Sequence, residues 1–366
     1  MIAAIGGGGY WLRQEAERPG PLADARTVVV PARTGISGIA ELLAENGVVR
    51  QPIVFELIAK LSGRGTALRA GEYEFPAGTS TVAALDILAG GKTVKRRLTV
   101  PEGLTSAEVM VLVRDAPALD GEIGTPALDG ELLPDTYVYS YGDQRKELIE
   151  RMRQAMTHAL ARAWADRRAD LPLASAQDIV TLASIVEKEA AREDERPHIA
   201  GVFFNRLRLG MRLQADPTVS FAIGVDSGIK LERPLMHADL AFNSPYNTYV
   251  AKGLPPGPIA NPGKSAIRAA IRPERTEDLY FVADGNGGHV FAKTLADQTR
   301  NIALYRRANA AEAEGEPAET TAPAAPAAPA AAPTPAPART HPAQHAAQTP
   351  QPAPIHRCRP GHPCTR

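Results

Sequence analysis

Residues 182–218 read LASIVEKEAAREDERPHIAGVFFNRLRLGMRLQADPT, and this stretch is the most informative part of the sequence. A helical segment carries Glu187 and Glu189, and a second helical segment and a Gln-Ala-Asp-Pro-Thr turn at 214–218 follow it. Nothing else in the chain puts potential acid/base groups, amide donors and a rigid turn so close together. An active site in this protein is therefore expected around 182–218.

The first helix of this stretch does not by itself decide between its two glutamates. Ser175 and Asp178 resemble a capping box that starts a helix predicted over 176–192. At about 100° per residue, Glu187 and Glu189 lie on opposite flanks of the apolar face, each about 80° from its centre. Either carboxyl could be half-buried, and burial would keep it protonated as a general acid. The alternative is that both are solvated residues on the flanks of a helix.

Composition and charge limit the classes of function. The chain has 366 residues, of which 44% are hydrophobic and 22% charged, as expected for two or three globular domains. Lys+Arg and Asp+Glu are equal at 41 each, so the chain has no general attraction for nucleic acid. Cys358 and Cys364 both lie at the C-terminal end, so the folded body has no thiol nucleophile and no cysteine-ligated zinc site. We expect no metal or organic cofactor.

The two ends of the chain differ from its body. Met1 to Leu12 is apolar, but a membrane-spanning helix needs about 20 such residues. This segment is either the remnant of a membrane anchor, with residues 1–25 as anchor and linker, or a disordered Gly-rich N-terminus. Residues 311–366 are dominated by Ala and Pro and are expected to form a disordered, extended tail.

The remaining residues predict an α+β fold in two parts. A small α+β module is expected over 26–100, with strands at 26–30, 72–75 and 96–100 and helices at 36–46, 51–61 and 81–88. A mixed α+β domain is expected over 101–310. Its predicted elements are helices at 106–114, 146–168, 197–208 and 294–311 and a hairpin of strands 279–283 and 289–292.

Polar and aromatic residues after the 182–218 stretch indicate a carbohydrate groove. Residues 243–249 read NSPYNTY, and the Pro-rich residues 253–262 would form a stiff wall. Tyr faces with Asn, Gln and Asp hydrogen-bonding groups suit sugars, which present apolar faces and hydroxyl rims. The alternative for the Pro-rich stretch is a structural loop, although loops this long in compact domains are often functional.

Five segments together resemble the endolytic murein transglycosylase family, also called the YceG-like family. They are LASIVEKEA at 182–190, NRLRLGMRLQADPTV at 205–219, YNTY at 246–249, GLPPGPIANPG at 253–263 and LYFVADGNGGHVF at 279–291. The resemblance runs in order from about Arg26 to Tyr305. It implies a LysM-like peptidoglycan-binding first module, a catalytic second domain, and a single-pass bacterial inner-membrane protein with its catalytic body in the periplasm. Glycan strands are the implied substrate, and peptidoglycan synthases are candidate partners.

The resemblance also implies roles for individual residues. Glu189 would be the catalytic acid/base, and Glu187 would be supporting or structural. The implied reaction cleaves the MurNAc–GlcNAc β-1,4 bond and leaves 1,6-anhydro-MurNAc ends, which terminates strand elongation. The candidate substrate contacts are Asn205, Gln214, Asp216, Thr218, Tyr246, Asn247 and Tyr249.

Two other functions stay open at this point. The first is a muramidase, a hydrolase in which Asp216 or Glu187 is the second carboxylate. The second is a non-catalytic peptidoglycan-binding scaffold of cell-wall synthesis, in which Glu189 is only a helix-flank residue.

Overall fold

The computed structural model describes residues 2–228 and 231–315, which belong to one compact unit. The predicted mixed α+β fold is confirmed. Residues 316–366 lie outside the described residues, and with them most of the predicted tail, including Cys358 and Cys364. Residues 311–315 were predicted as tail but are helical, because Ala and Glu in that stretch are good helix formers.

The first half of the chain contains both helices and short strands. In order they are α1 (Ile2–Glu17), β1 (Arg26–Val30), α2 (Ile36–Glu45), α3 (Pro52–Leu61), β2 (Gly71–Phe75), α4 (Thr81–Gly90), β3 (Arg96–Thr99), α5 (Ser106–Asp115) and β4 (Thr136–Tyr139). The second half contains α6 (Arg145–Asp166), α7 (Ala176–Glu189), α8 (Arg196–Arg208), α9 (Asp216–Ser227), α10 (Lys264–Ile271), β5 (Tyr280–Ala283), β6 (His289–Ala292) and α11 (Leu295–Gly315).

The first module is a two-stranded antiparallel sheet covered by helices. Strands β1 and β2 pair from Arg26↔Phe75 to Val30↔Gly71. The inward side chains of this sheet pack with α2, α3 and α4 around one apolar core. This cluster includes Val28, Leu43, Phe55, Tyr73 and Leu85. The α+β composition of the module is confirmed, whereas its likeness to LysM and the boundary at residue 100 stay predictions.

Strand β3 was expected to complete the first module, but it pairs with a strand of the following region. Its partner is β4, with Arg96 opposite Tyr139 and Thr99 opposite Thr136. A bidentate ion pair links the two sheets: Arg96 Nε and Nη2 donate to Glu72 Oε2 and Oε1 at 2.9 and 2.7 Å. Because Glu72 is buried, this pair fixes how the first module joins the rest of the protein.

Two further cores lie in the second region. One joins β4, α5 and the first half of α6. The larger one is formed by α6, α7, α8 and α10, and partly buried residues of the β5–β6 hairpin pack against it. Helix α7 lies at its centre, because eight of its residues, Ile179 to Val186, are buried in succession. Helix α7 is therefore held from several sides.

Three helices differ from the sequence prediction. Helix α9 begins at Asp216, where a turn was predicted, because Pro217 lacks only an N–H that the first helical turn does not use. Helix α10 begins at Lys264, directly after the Pro-rich stretch and its following Gly263, where no helix was predicted. Helix α1 covers a segment predicted as an anchor remnant or as disordered. Within residues 2–228 and 231–315, no helix combines the length and the apolar character that crossing a membrane requires.

Asn261 joins the Pro-rich wall to the region before it. Its side chain is fully buried, and Oδ1 accepts from the backbone N–H groups of Gly130 and Leu132, both at 3.0 Å. Its Nδ2 donates to the Leu104 carbonyl oxygen and to Ser106 Oγ, both at 3.0 Å. The wall at 253–262 is therefore anchored by one side chain whose donors and acceptor are all satisfied.

Candidate active site

Helix α7 starts and ends at residues that determine the position of the site. The predicted capping box is confirmed, since Ser175 and Asp178 each bond the backbone N–H of the other. The helix was predicted to reach residue 192, but Ala190 leaves helical geometry with φ −86° and ψ 106°. Glu189 is therefore the last helical residue, and it is partly buried.

Glu187 is tied into an ion-pair network. Arg196 Nη2 donates to Glu187 Oε1 at 2.5 Å, and the backbone N–H of Gly263 donates to Glu187 Oε2 at 2.9 Å. The same guanidinium reaches Glu102 Oε2 at 3.2 Å. Burial raises the pKa of Glu187, and the Gly263 hydrogen bond and Arg196 oppose that rise. Both oxygens are occupied, so Glu187 links α7 to the start of α8 and to the start of α10.

Glu189 has the opposite environment. It is partly accessible from the surface, and it forms no salt bridge with any residue that the structure describes. Burial raises the pKa of Glu189 to about 8, and the nearby Asp216 carboxylate adds to the rise. The positive charge of Arg206 and a hydrogen bond from the Asp216 backbone N–H act in the other direction. The Glu189 carboxyl is therefore protonated at neutral pH and can donate a proton.

Asp216 and Tyr249 form a pair beside Glu189. The Tyr249 hydroxyl donates to Asp216 Oδ1 at 2.5 Å. Burial raises the pKa of Tyr249, and the carboxylates of Asp216 and Glu189 raise it further, so it stays a phenol and a donor. The structure thus brings three of the predicted site residues together, although their roles stay predictions.

The turn before α9 places Asp216. Gln214 has a left-handed backbone with φ 51°, which is uncommon for a residue other than glycine, and its side chain is exposed. Thr248 holds this turn by accepting from the Gln214 backbone N–H on its carbonyl oxygen and from the Ala215 N–H on Oγ1. The fully buried Thr218 hydroxyl donates to the Ala215 carbonyl oxygen at 2.6 Å. Thr218 is therefore engaged within the protein, whereas the Gln214 side chain faces solvent.

The other predicted contacts are also engaged within the protein. Asn247 is fully buried, and its Nδ2 donates to the carbonyl oxygens of Leu240 and Phe242 at 3.0 and 2.7 Å. Asn205 Nδ2 donates to the carbonyl oxygens of Thr276 and Asp278 at 2.9 and 3.0 Å. Tyr246 packs against Phe221, with 5.0 Å between ring centroids. In this arrangement Asn205 and Asn247 shape the loops around the site.

Arg206 and Tyr280 belong to the site but were not among the predicted residues. Arg206 is buried, and its guanidinium carbon lies 5.3 Å from the centre of the Tyr280 ring. Its charge acts on both Glu189 and Tyr249. Both residues lie in segments that carry the family resemblance, but nothing in their spacing indicates that they approach Glu189.

Two surface clefts lie away from Glu189. One cleft, of about 370 Å³, is lined by residues of α8 and of the segment 273–276, and the predicted substrate contact Asn205 is part of this lining. Glu189 does not line it. Within the described part of the chain, no three His, Cys, Asp or Glu side chains are grouped to hold a metal ion.

The fold and the site define an α+β protein with a protonated carboxyl group beside an ionisable pair, the arrangement of a general acid/base enzyme. The model of the YceG-like family matches residues 28–304. The chain therefore belongs to the YceG-like family.

Two curated relatives are similar over most of this chain. An endolytic murein transglycosylase of Bacillus subtilis is 32% identical over 317 residues, which cover 77% of this chain and 86% of that protein. An endolytic murein transglycosylase of Streptococcus pneumoniae is 30% identical over 323 residues, covering 76% of this chain and 58% of that protein. A crystal structure of a yceG-like protein from Listeria monocytogenes is 31% identical, with 76% of this chain and 99% of that chain covered and a TM-score of 0.46.

Proposed function

We propose that this protein is an endolytic lytic transglycosylase that cleaves the β-1,4 bond between MurNAc and GlcNAc in nascent peptidoglycan strands, and that Glu189 is its acid/base. The observation that carries the proposal is the state of Glu189: its pKa is raised to about 8 and no described residue forms a salt bridge with it. A carboxyl group that is protonated at neutral pH can act as a general acid without further activation. The names of the two curated relatives support this reaction class.

The reaction needs one carboxyl group in two successive states. Glu189 donates its proton to the GlcNAc O4 as the C1–O4 bond breaks. The resulting carboxylate takes the proton of the MurNAc C6 hydroxyl, whose oxygen bonds to C1 and closes the 1,6-anhydro ring. Glu189 is protonated again, and no water is consumed. The C6 hydroxyl belongs to the same sugar, and this proximity makes it an effective nucleophile.

A muramidase is the second candidate, and one observation favours it. The Asp216 carboxylate acts on Glu189 and is exposed, as a second carboxylate of a hydrolase would be. Glu187 is unsuited to that role, since Arg196 and the Gly263 N–H occupy both of its oxygens. The Tyr249 hydroxyl donates to Asp216 Oδ1 and so holds this carboxylate in place.

Mass spectrometry of glycans released from purified peptidoglycan tests both candidates. Release of products with 1,6-anhydro-MurNAc ends by the wild type, and none by Glu189→Gln, would support the transglycosylase. Reducing ends, one water heavier, would replace it with a hydrolase. Binding to peptidoglycan without release by either protein would leave a non-catalytic scaffold.

The location and the first module are part of the same proposal. The catalytic body would work in the periplasm at the inner membrane, and helix α1 would be its membrane-proximal end. Tyr10 and Trp11 of α1 are 70% and 52% exposed, and such aromatic side chains favour a membrane interface. The first module would bind glycan as a LysM-like unit, and peptidoglycan synthases would be its working partners. Cell fractionation and a pull-down of residues 26–366 on peptidoglycan test these assignments.

A further inference from the structure

We propose that Arg206 is a positioning residue of this active site, whose guanidinium joins the two segments leading into Asp216 and Tyr280 and presents an unpaired positive charge to Glu189. This inference rests on the proposed function, and it concerns a residue for which the sequence predicts no role.

The guanidinium of Arg206 is held by backbone carbonyl oxygens. Its Nε donates to the Leu279 carbonyl oxygen and its Nη1 to that of Leu213, both at 2.6 Å. A longer bond of 3.5 Å runs from Nη1 to the Arg212 carbonyl oxygen. Leu279 directly precedes Tyr280, and Leu213 lies three residues before Asp216. One side chain on α8 therefore holds the backbone before two residues of the site.

The bonding partners of Arg206 leave its charge uncompensated. Carbonyl oxygens are neutral, and among the described residues no carboxylate forms a salt bridge with Arg206. Burying a charge without a paired ion is costly, and Arg206 is only 6% exposed. A neutral side chain could fill the space at lower cost. Because Arg206 lies at the candidate active site, we infer that its positive charge is used there.

The groups that face this charge define its effect. They are Glu189 at the end of α7, Tyr249, and Tyr280 at the start of β5, with Asp216 bound to Tyr249. Burial lowers the pKa of Arg206, and the interactions with Tyr280, Tyr249 and Glu189 oppose that change. For Glu189 the positive charge of Arg206 counteracts the negative charge of Asp216.

The opposing effects of Arg206 and Asp216 on Glu189 matter in the second step of the proposed reaction. When Glu189 donates its proton, it becomes a carboxylate in a site where burial and Asp216 both disfavour the charge. The Arg206 guanidinium is already oriented by the carbonyl oxygens, so it can stabilise that carboxylate without rearrangement. Glu189 is thereby kept available as the base for the second proton transfer.

Two substitutions separate the positioning from the charge. Arg206→Lys keeps the charge but cannot reproduce the planar fork of donors. We expect its kcat/KM for glycan release to fall by about 10-fold or more, as for a misplaced site, with the alkaline limb of the pH profile unchanged.

Arg206→Met removes both the charge and the hydrogen-bond donors. We expect a larger loss of kcat/KM than for Arg206→Lys. The alkaline limb of the pH profile should lie at higher pH than in the wild type, because the pKa of Glu189 rises when the positive charge is removed. Arg208→Met, two residues further along α8 and exposed, is the matched control and should leave both quantities unchanged.

A readout that does not depend on activity distinguishes failure of this inference from failure of the proposed function. The stability gained through Glu189→Gln is measured by thermal unfolding at pH 5 and pH 9, in the wild type and in Arg206→Met. We expect the stability gain from Glu189→Gln to differ more between pH 5 and pH 9 in the Arg206→Met background than in the wild type.

Equal differences in the two backgrounds, or an Arg206→Met alkaline limb that does not move, would overturn the role of the charge. If Arg206→Met does not fold, Arg206→Lys decides, since kcat/KM within twofold of the wild type would overturn the positioning role. An inactive wild type with the expected stability difference would refute the transglycosylase but leave the Arg206–Glu189 coupling intact.

Discussion

The hydroxyl of Tyr249 donates a hydrogen bond of 2.5 Å to the Asp216 carboxylate across 33 residues of sequence. This bond holds the Asp216 carboxylate in one orientation at the beginning of α9. The negative charge of Asp216 contributes to the raised pKa of Glu189, second only to burial. Tyr249 and Asp216 therefore affect the proton of Glu189 although neither side chain donates to it.

Asp216→Asn should shift the pH dependence of glycan release. Without the negative charge of Asp216 the pKa of Glu189 falls, so the protonated fraction declines at lower pH. The alkaline limb of kcat/KM should move to lower pH, and activity at pH 8 should drop on the order of a few-fold. Kinetics over pH 5–9 measure this. Asp226→Asn, on the same helix and exposed, is the control. A limb that moves upward would show that Asp216 does not favour the proton on Glu189.

Tyr249→Phe should weaken the site without unfolding the protein. The substitution removes a hydrogen bond to a charged group, which is worth about 1.5–3 kcal/mol, and frees the Asp216 carboxylate to rotate. We expect kcat/KM for glycan release to fall about 10-fold, with KM changed less than kcat. Steady-state kinetics on purified glycan strands check this, with Tyr141→Phe as control. Full activity of Tyr249→Phe would show that the orientation of Asp216 is unimportant.

Glu189→Gln should stabilise the protein, and the gain should depend on pH. The folded-state pKa of about 8 lies above the ordinary value of 4.5, so the native wild type keeps a proton that the unfolded chain releases. Wild-type stability therefore falls as pH rises from about 4.5 to about 8, whereas the Gln variant lacks this loss. We expect a gain on the order of 2–4 kcal/mol at pH 8, allowing for partial exposure, and almost none at pH 4.

Denaturant unfolding at several pH values measures this gain. The exposed Glu193 provides the control, since Glu193→Gln should give a difference that does not vary with pH. A Glu189→Gln gain that is the same at pH 4 and pH 8 would mean that the Glu189 pKa is not raised.

Gly263→Ala should destabilise the protein through Glu102. A Cβ at residue 263 would overlap the Glu102 carboxylate, which would have to leave Arg196. We expect a loss of about 0.5–1 kcal/mol in the free energy of unfolding, since the Glu102 side chain is 41% exposed and can move away from residue 263. Gly35 is a matched control because it also precedes a helix and has the same extended backbone, and a Cβ added there would meet no atom within 4 Å. Thermal unfolding of both variants should show a loss only for Gly263→Ala.

The sequence predicts the site-bearing helices well but not the choice between their glutamates. The capping box at Ser175 and the apolar period of α7 are local signals, and the structure confirms both. By burial alone Glu187 would be the better general acid, because its side chain is only 4% exposed. What separates it from Glu189 is Arg196, which reaches it from another helix. Periodicity contains no information about such a partner.

The start of α9 and the presence of Arg206 and Tyr280 at the site also could not be predicted from local sequence patterns. The Asp-Pro pair at 216–217 fits a turn and a first helical turn equally well, so only the packed structure decides between them. Arg206 and Tyr280 are 74 residues apart in the sequence and meet through packing of α8 against the segment before β5. By contrast, the β5–β6 hairpin was predicted within one residue, because its turn and its strands are adjacent in the chain.

Glu189 lies between the C-terminal end of α7 and the N-terminal end of α9, and these two helix ends have partial charges of opposite sign. It is the last residue of α7, where the aligned peptide dipoles leave a partial negative charge that favours the neutral acid. The Glu189 carboxyl also accepts a hydrogen bond from the backbone N–H of Asp216, the first residue of α9. The partial charge at this helix end is positive and favours the carboxylate form of Glu189. The affinity of Glu189 for its proton is thus set partly by where two helices stop and start. Lengthening either helix by a residue at this junction would change the acid–base chemistry without altering a single side chain of the site.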